Sequence, residues 1–171
     1  MVVKKHIEQT LKELDVKYNN SLVSSNPNEA TYYSKLALLE YCGWVEETLD
    51  DIARRSVKNK LKTNVFRQMM EDGVIGTTYG FQYKKHFRPM LCKSIGIVRL
   101  EKLETLLSST GEKDIIENEF EAVKSTRNDA AHTWIEGVTK SYPAPSQTLG
   151  RLKKVYPVLK NIYSEIIKMN K

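Results

Sequence analysis

The residues best suited to chemistry lie in one short stretch of the chain, from Arg127 to His132. This stretch places a guanidinium, a carboxamide (Asn128) and an imidazole within six residues, in a chain whose only other histidines are His6 and His86. On a helix, Asn128 and His132 are four residues apart and share a face. Arg127 lies about 140° around the axis from His132. A helix end or bend between the two is therefore needed for them to converge.

These residue types match the demands of RNA cleavage without a metal ion. Attack of the 2′-hydroxyl on the adjacent phosphate needs a base, an acid for the leaving 5′-oxygen, and cations around the phosphorane. Histidine can serve as either base or acid near neutral pH, and arginine can bind phosphate oxygens through two N–H groups. One motif supplies one imidazole, whereas two copies facing each other across a dimer axis supply two. We therefore expect a homodimer with a composite site and predict neither a metal nor a cofactor.

A structural interpretation of the same motif stays open. A histidine near a helix end can cap carbonyl groups, and Arg127 can pair with an acidic residue of an earlier helix, such as Glu46 or Glu47. The apolar stripe of that helix makes Glu46 the better candidate for orienting Arg127 or His132. We assign Glu46 and the motif residue Asp129 as supporting residues.

A second candidate site, for binding RNA, is the segment at residues 83–88, which mixes cations with aromatic residues. It could follow an RNA backbone while Tyr83 or Phe87 stacks on a base. The alternative is a solvated helix face whose aromatic side chains lie in the core. The candidate RNA-binding residues are Lys84, Lys85, His86 and Arg88.

Apolar residues recur with helical spacing almost throughout the chain, and no strand pattern of useful length is present. The sequence predicts an all-α, single-domain bundle of five or six helices covering residues 1–171. The second helix is predicted over residues 27–57, with Gly43 marking the close approach of a neighbouring helix. A basic stretch from Arg54 to Lys62 follows it. Further predictions are a short helix at 65–70, a loop at 72–80, and helices at 97–107, 116–123 and 149–166. The segment at 83–91 is also predicted to be helical, and because Pro89 fits best near the first turn of a helix, we expect this segment to be divided there.

Composition limits the class of protein. Among 171 residues, 27 are basic and 21 acidic, and the net charge of +6 favours anionic partners such as nucleic acid. The apolar fraction of 40% argues against disorder. The longest aliphatic run, residues 36–39, is far too short to span a membrane, and the first residues lack the apolar core of a signal peptide. Cys42 and Cys92 lie in apolar stretches without nearby zinc-ligand partners, which predicts buried thiols in a reducing cytoplasm.

The motif Arg127-Asn128-Asp129-Ala130-Ala131-His132 resembles the Arg-x4–6-His signature of the HEPN superfamily (higher eukaryotes and prokaryotes nucleotide-binding domain). Residues 39–47 and 79–88 also resemble stretches of its RiboL-PSP-HEPN branch, so the resemblance covers nearly the whole chain. It implies a four-helix antiparallel core, usually dimeric, and often a metal-independent endoribonuclease of toxin–antitoxin or phage-defence systems. The implied catalytic pair is Arg127 and His132, with Asn128 as a polar aid.

The same resemblance implies a cognate antitoxin or a nucleotidyltransferase as a partner. Some HEPN toxins carry a tyrosine two residues after the histidine, which a partner nucleotidyltransferase modifies. Trp134 stands at that place here, which puts control by adenylylation in doubt. Two other classes of function stay open. One is a non-catalytic HEPN-like module that binds nucleotide, RNA or a partner protein, and the other is an antitoxin or adaptor acting through helix-in-groove contact.

Overall fold

A computed structural model describes residues 2–24, 27–58, 60–131 and 141–169 of the chain. The all-α prediction is confirmed, since the described residues contain helices and connections but no strand. They form seven α-helices, against the five or six predicted. The helices are α1 Lys5–Val23, α2 Pro27–Val57, α3 Asn64–Met70, α4 Arg88–Ile95, α5 Ile97–Ser109, α6 Glu112–Ala131 and α7 Pro145–Met169.

The prediction for α2 is confirmed at both ends. A stripe along this helix is buried, as its apolar spacing requires, and includes Leu38, Cys42, Val45, Leu49 and Ile52. The prediction for Gly43 is wrong. Gly43 is exposed, and a Cβ atom added there meets no described atom within 4 Å.

The loop predicted at residues 72–80 is partly helical. A π-helix, Glu71–Ile75, continues directly from α3 and closes with a bond from the Gly76 N–H to the Glu71 carbonyl at 2.6 Å. A second π-helix, Tyr83–Phe87, precedes α4, whose first turn contains Pro89 as predicted. Proline has no N–H to donate, so an uninterrupted α-helical ladder cannot run through this position. π-Helical turns are rare and often occur at functional sites.

A break separates α4 from α5. Gly96 joins them with a φ of +84°, a conformation in which only glycine avoids a steric penalty. The chain therefore turns there, and the apolar residues on either side belong to two helices instead of one.

The chain divides into two compact units, each assembled from segments that are distant in sequence. The first unit comprises Val45–Glu121 and Val155–Lys171, with residues 1–2. It contains α3 to α5, both π-helices and one end each of α2, α6 and α7. Its core includes an edge-to-face contact between Phe81 and Phe120 at 5.8 Å.

The second unit comprises Val3–Trp44 and Ala122–Lys154. It contains α1 and the other ends of α2, α6 and α7. The Trp44 indole N–H donates to the Val3 carbonyl at 2.9 Å, and its ring stacks near Tyr41, which joins the start of the chain to α2. In α1, Ile7, Leu11 and Leu14 are buried.

Two further features bear on the expectations from composition. Among the described helices, none combines the length and the apolar character that crossing a bilayer requires. Both cysteines are free thiols, and Cys42 is buried as predicted, whereas Cys92 is only half-buried.

Candidate functional site

The motif residues that the structure describes lie together near the end of α6, in the second unit. Arg127 is half-buried, whereas Asn128 and Asp129 are exposed. Ala130 is fully buried and anchors this turn of the helix. The protein thus partly encloses Arg127, while the next residue, Asn128, is exposed to solvent.

The turn is also tied to the segment before α7. The Tyr142 hydroxyl donates to the backbone carbonyl of Asp129 at 3.5 Å, a long and weak hydrogen bond. α6 is described as far as Ala131, and His132 and Trp134 lie outside the described residues. The convergence of Arg127 with His132 therefore stays a prediction.

Glu46 is half-buried on α2, in the first unit, and Arg127 belongs to the second. The proposed pairing of these two residues stays a prediction. The supporting role of the Asp129 side chain also stays a prediction, since the bond from Tyr142 reaches its backbone carbonyl.

Three of the four candidate RNA-binding residues make contacts within their own unit. Lys84 pairs with Glu117 at 2.9 Å, and Arg88 pairs with Glu104 at 2.7 Å. His86 accepts a hydrogen bond at Nδ1 from the Gln82 backbone N–H at 3.1 Å, which holds the first turn of the second π-helix. Lys85 is exposed. These contacts give the segment a structural role, and its binding of RNA stays a prediction.

Glu104 on α5 has a nearly buried carboxylate, which accepts hydrogen bonds from three side chains. Arg88 donates from both Nε and Nη2, Lys113 from Nζ at 3.1 Å, and Tyr83 from its hydroxyl at 3.2 Å. Burial, together with the negative charge of Glu104, raises the pKa of Tyr83. The tyrosine stays protonated and acts as a donor, so this cluster connects the second π-helix, α4, α5 and α6 within the first unit.

A groove of about 860 Å³ lies between the C-terminal part of α2 and α3, entirely in the first unit. Its apolar floor includes Val57, Leu61 and Met70, which belong to one hydrophobic cluster of buried and partly buried residues. Four cations and two carboxylates line it, which leaves an excess of two positive charges. The charged residues are Arg54, Arg55, Lys58, Arg67, Asp51 and Glu71.

Ion pairs order two of these arginines. Arg54 binds Glu71 through two hydrogen bonds, at 2.7 and 3.0 Å, and Arg55 binds Asp51 at 2.6 Å. The Arg54 guanidinium holds the pKa of Glu71 below its usual value. Burial, with a contribution from Glu47, raises the pKa of nearby Asp50 to about 6.

The sequence contained a signal for the groove that we did not assign to a function. Asp51, Arg54, Arg55 and Lys58 are spaced at i, i+3, i+4 and i+7, which places the first three on one face of α2 and Lys58 in line with them, directly after the helix. Charges at this spacing usually mark a solvated face. Only the packing of α3 beside α2 turns that face into the wall of a groove.

Among the described residues, no cluster of three or more His, Cys, Asp or Glu side chains could hold a metal ion.

Comparison with known proteins adds no further assignment. The chain matches no protein-family model, and no similar protein is found among curated proteins or among solved structures.

Proposed function

We propose that the protein is a metal-independent, HEPN-like endoribonuclease that acts as a homodimer, in a toxin–antitoxin or phage-defence setting. The observation that supports this is the arrangement at the end of α6. A half-buried arginine and an exposed asparagine are consecutive residues there, and Asp129 and two small alanines separate them from His132 in the sequence. The net charge of +6 agrees with an anionic substrate.

The proposed reaction uses the imidazoles of two subunits. One His132 takes the proton of the RNA 2′-hydroxyl, and the resulting oxygen attacks the adjacent phosphorus. The bond to the 5′-oxygen breaks, and the second His132 donates a proton to that oxygen. The products are a 2′,3′-cyclic phosphate and a free 5′-hydroxyl.

Arg127 and Asn128 stabilise the phosphorane in this scheme. Arg127 carries a permanent positive charge and can bind two phosphate oxygens at once, while Asn128 donates from its carboxamide. Because Arg127 is half-buried, its charge acts in a medium of lower dielectric constant than water, which strengthens its attraction for the phosphorane.

The test is cleavage of a labelled RNA in the presence of EDTA, with analysis of the product ends. We expect His132→Ala and Arg127→Ala each to lower the cleavage rate by roughly 100-fold or more. Arg127→Lys keeps the charge without the planar donor pair, so we expect it to restore only part of the activity.

The matched controls are His6→Ala and Arg99→Ala, which remove exposed residues of the same types on α1 and α5. We expect both to cleave at the rate of the unchanged protein. Cleavage that survives His132→Ala contradicts the mechanism. RNA binding without any cleavage supports the non-catalytic HEPN-like module instead.

A further inference from the structure

We propose that the groove between α2 and α3 is a binding site for the phosphodiester backbone of single-stranded nucleic acid. The site lies in the first unit and uses none of the motif residues of α6. The proposal therefore does not depend on the proposed cleavage reaction and can hold if that reaction fails.

Apart from Met70 on the floor of the groove, the residues of α3 that line the groove are polar. Asn64, Arg67, Gln68 and, directly after the helix, Glu71 recur at i, i+3, i+4 and i+7. The Arg67 guanidinium is oriented by neutral groups, since Nε donates to the Leu61 carbonyl at 3.3 Å and Nη1 donates to the Asn64 side chain at 3.4 Å. These neutral acceptors position the guanidinium without cancelling its charge.

The paired arginines are also available to a phosphate. The Arg54–Glu71 and Arg55–Asp51 pairs are exposed over about two-fifths of each arginine side chain. Ion pairs at such exposure are generally weak, so the Arg55 guanidinium, which makes one hydrogen bond to Asp51, can exchange its carboxylate for a phosphate oxygen at little cost. The two hydrogen bonds to Glu71 hold Arg54 more firmly. The carboxylates keep the arginines in place when no ligand is bound.

The position of the apolar face of α3 favours a nucleic acid over a lipid membrane as the ligand of the groove. Val65, Phe66 and Met69 are 68%, 55% and 59% exposed. Helical spacing places them on the side of α3 opposite the polar groove-lining residues Asn64, Arg67 and Gln68. A flat membrane that contacted this face could not at the same time reach cations inside a groove on the other side. A single strand can enter a concave site of this volume, and its repeating phosphates match the excess of positive charge.

The opposite placement of Phe66 also sets the mode of binding. Because Phe66 does not line the groove, it offers no stacking platform there. Binding is expected to follow the backbone charge, with strong salt dependence and little base preference.

The experiment measures fluorescence anisotropy of a labelled oligothymidylate of about 12 nucleotides, titrated with the full chain at several salt concentrations. DNA lacks the 2′-hydroxyl, so the proposed cleavage cannot consume this probe. On a single strand, each phosphate contact contributes about 0.7 to the slope of log K against log salt. We expect Lys58→Gln/Arg67→Gln to lower that slope by about 1.4 and the affinity roughly 25-fold at about 0.1 M salt.

The charge-matched control is Lys17→Gln/Arg99→Gln, which removes one exposed lysine and one exposed arginine outside the groove. We expect it to keep most of the affinity. Lys58→Gln alone leaves the contacts of Arg67 in place, so its expected loss of about five-fold does not depend on α3 keeping its shape. Thermal unfolding followed by circular dichroism verifies the fold of each variant.

Three results would overturn the proposal. One is the absence of binding by the unchanged chain, and the second is an equal loss of affinity in the groove variant and its control. The third is association with phosphatidylserine vesicles that Phe66→Ala abolishes and the groove variant preserves, which assigns the region to a membrane surface. The two proposals can fail independently. If the unchanged protein cleaves RNA but the groove variants bind the oligothymidylate as tightly as it does, the groove proposal fails and the proposed function stands.

Discussion

At the scale of single residues, the partner of a side chain decides its role more than its type does. Arg54, Arg88 and Arg127 carry the same guanidinium, and the sequence grouped Arg88 with candidate RNA-binding residues. In the structure, the nearly buried carboxylate of Glu104 holds Arg88, whereas Arg54 pairs with Glu71 at the wall of a groove. Residues 16 positions apart meet in the first case and 17 apart in the second. No local pattern along the chain predicts ion pairs between residues so far apart.

The Glu104 cluster leads to a prediction about stability. Glu104→Gln removes the negative charge that Arg88, Lys113 and Tyr83 surround. We expect a loss of about 1–2 kcal/mol in the free energy of unfolding, below the 3–5 kcal/mol of a fully buried pair because Arg88 is half exposed. Chemical denaturation measures this loss.

The matched control is Glu101→Gln, which removes an exposed carboxylate from the same helix. We expect it to change stability by less than about 0.5 kcal/mol. If the two variants lose the same amount, the cluster around Glu104 does not stabilise the fold.

At the scale of elements, periodicity located the helices, but it could not show what lies beside them. The bounds of α2 follow from its apolar stripe and its polar flanks, and both are local properties. The expected neighbour of Gly43 depends on tertiary packing, and that prediction is wrong. The π-helix Glu71–Ile75 was also missed, because a single wide turn leaves no mark on apolar spacing.

Two glycines, one inside α2 and one at the α4–α5 connection, give opposite predictions. Gly43 lies inside a helix with open space around it, so Gly43→Ala is expected to stabilise the protein by about 0.5–1 kcal/mol. Gly96 has a φ of +84°, so Gly96→Ala is expected to destabilise it by about 1–2 kcal/mol, although space is open there too.

Thermal and chemical denaturation of the two variants measure these changes. The pair serves as its own control, because both substitutions add the same methyl group to a glycine with no described atom within 4 Å of the new Cβ. A loss of stability in Gly43→Ala would show that a neighbouring surface approaches this part of α2 after all.

At the scale of the whole molecule, the proposed composite site leads to a test of assembly. If the shared site needs one imidazole from each subunit, a mixed dimer of an unchanged chain and a His132→Ala chain lacks either the base or the acid. We expect an excess of His132→Ala chains, added under subunit-exchange conditions, to lower the cleavage rate of the unchanged protein toward that of the variant. The same excess of His6→Ala chains, which keep both imidazoles at the site, should cause no such loss.

Size measurement accompanies that experiment. A chain of 19.7 kDa should elute and scatter light as a dimer under the conditions in which the loss of cleavage is measured. The same loss in a preparation that is entirely monomeric would contradict a composite site.

The sequence by itself determined the all-α class, the bounds of α2, the position of Pro89 in the first turn of α4, and the adjacency of Arg127 and Asn128. Each of these depends on neighbours within a few residues, through helical spacing, local sterics and the missing N–H of proline. Three outcomes depend on the tertiary structure alone. Arg88 pairs with Glu104, Gly43 faces open space, and the charged face of α2 forms the wall of a groove beside α3. Those outcomes depend on which surfaces meet, and such meetings join residues far apart in the chain.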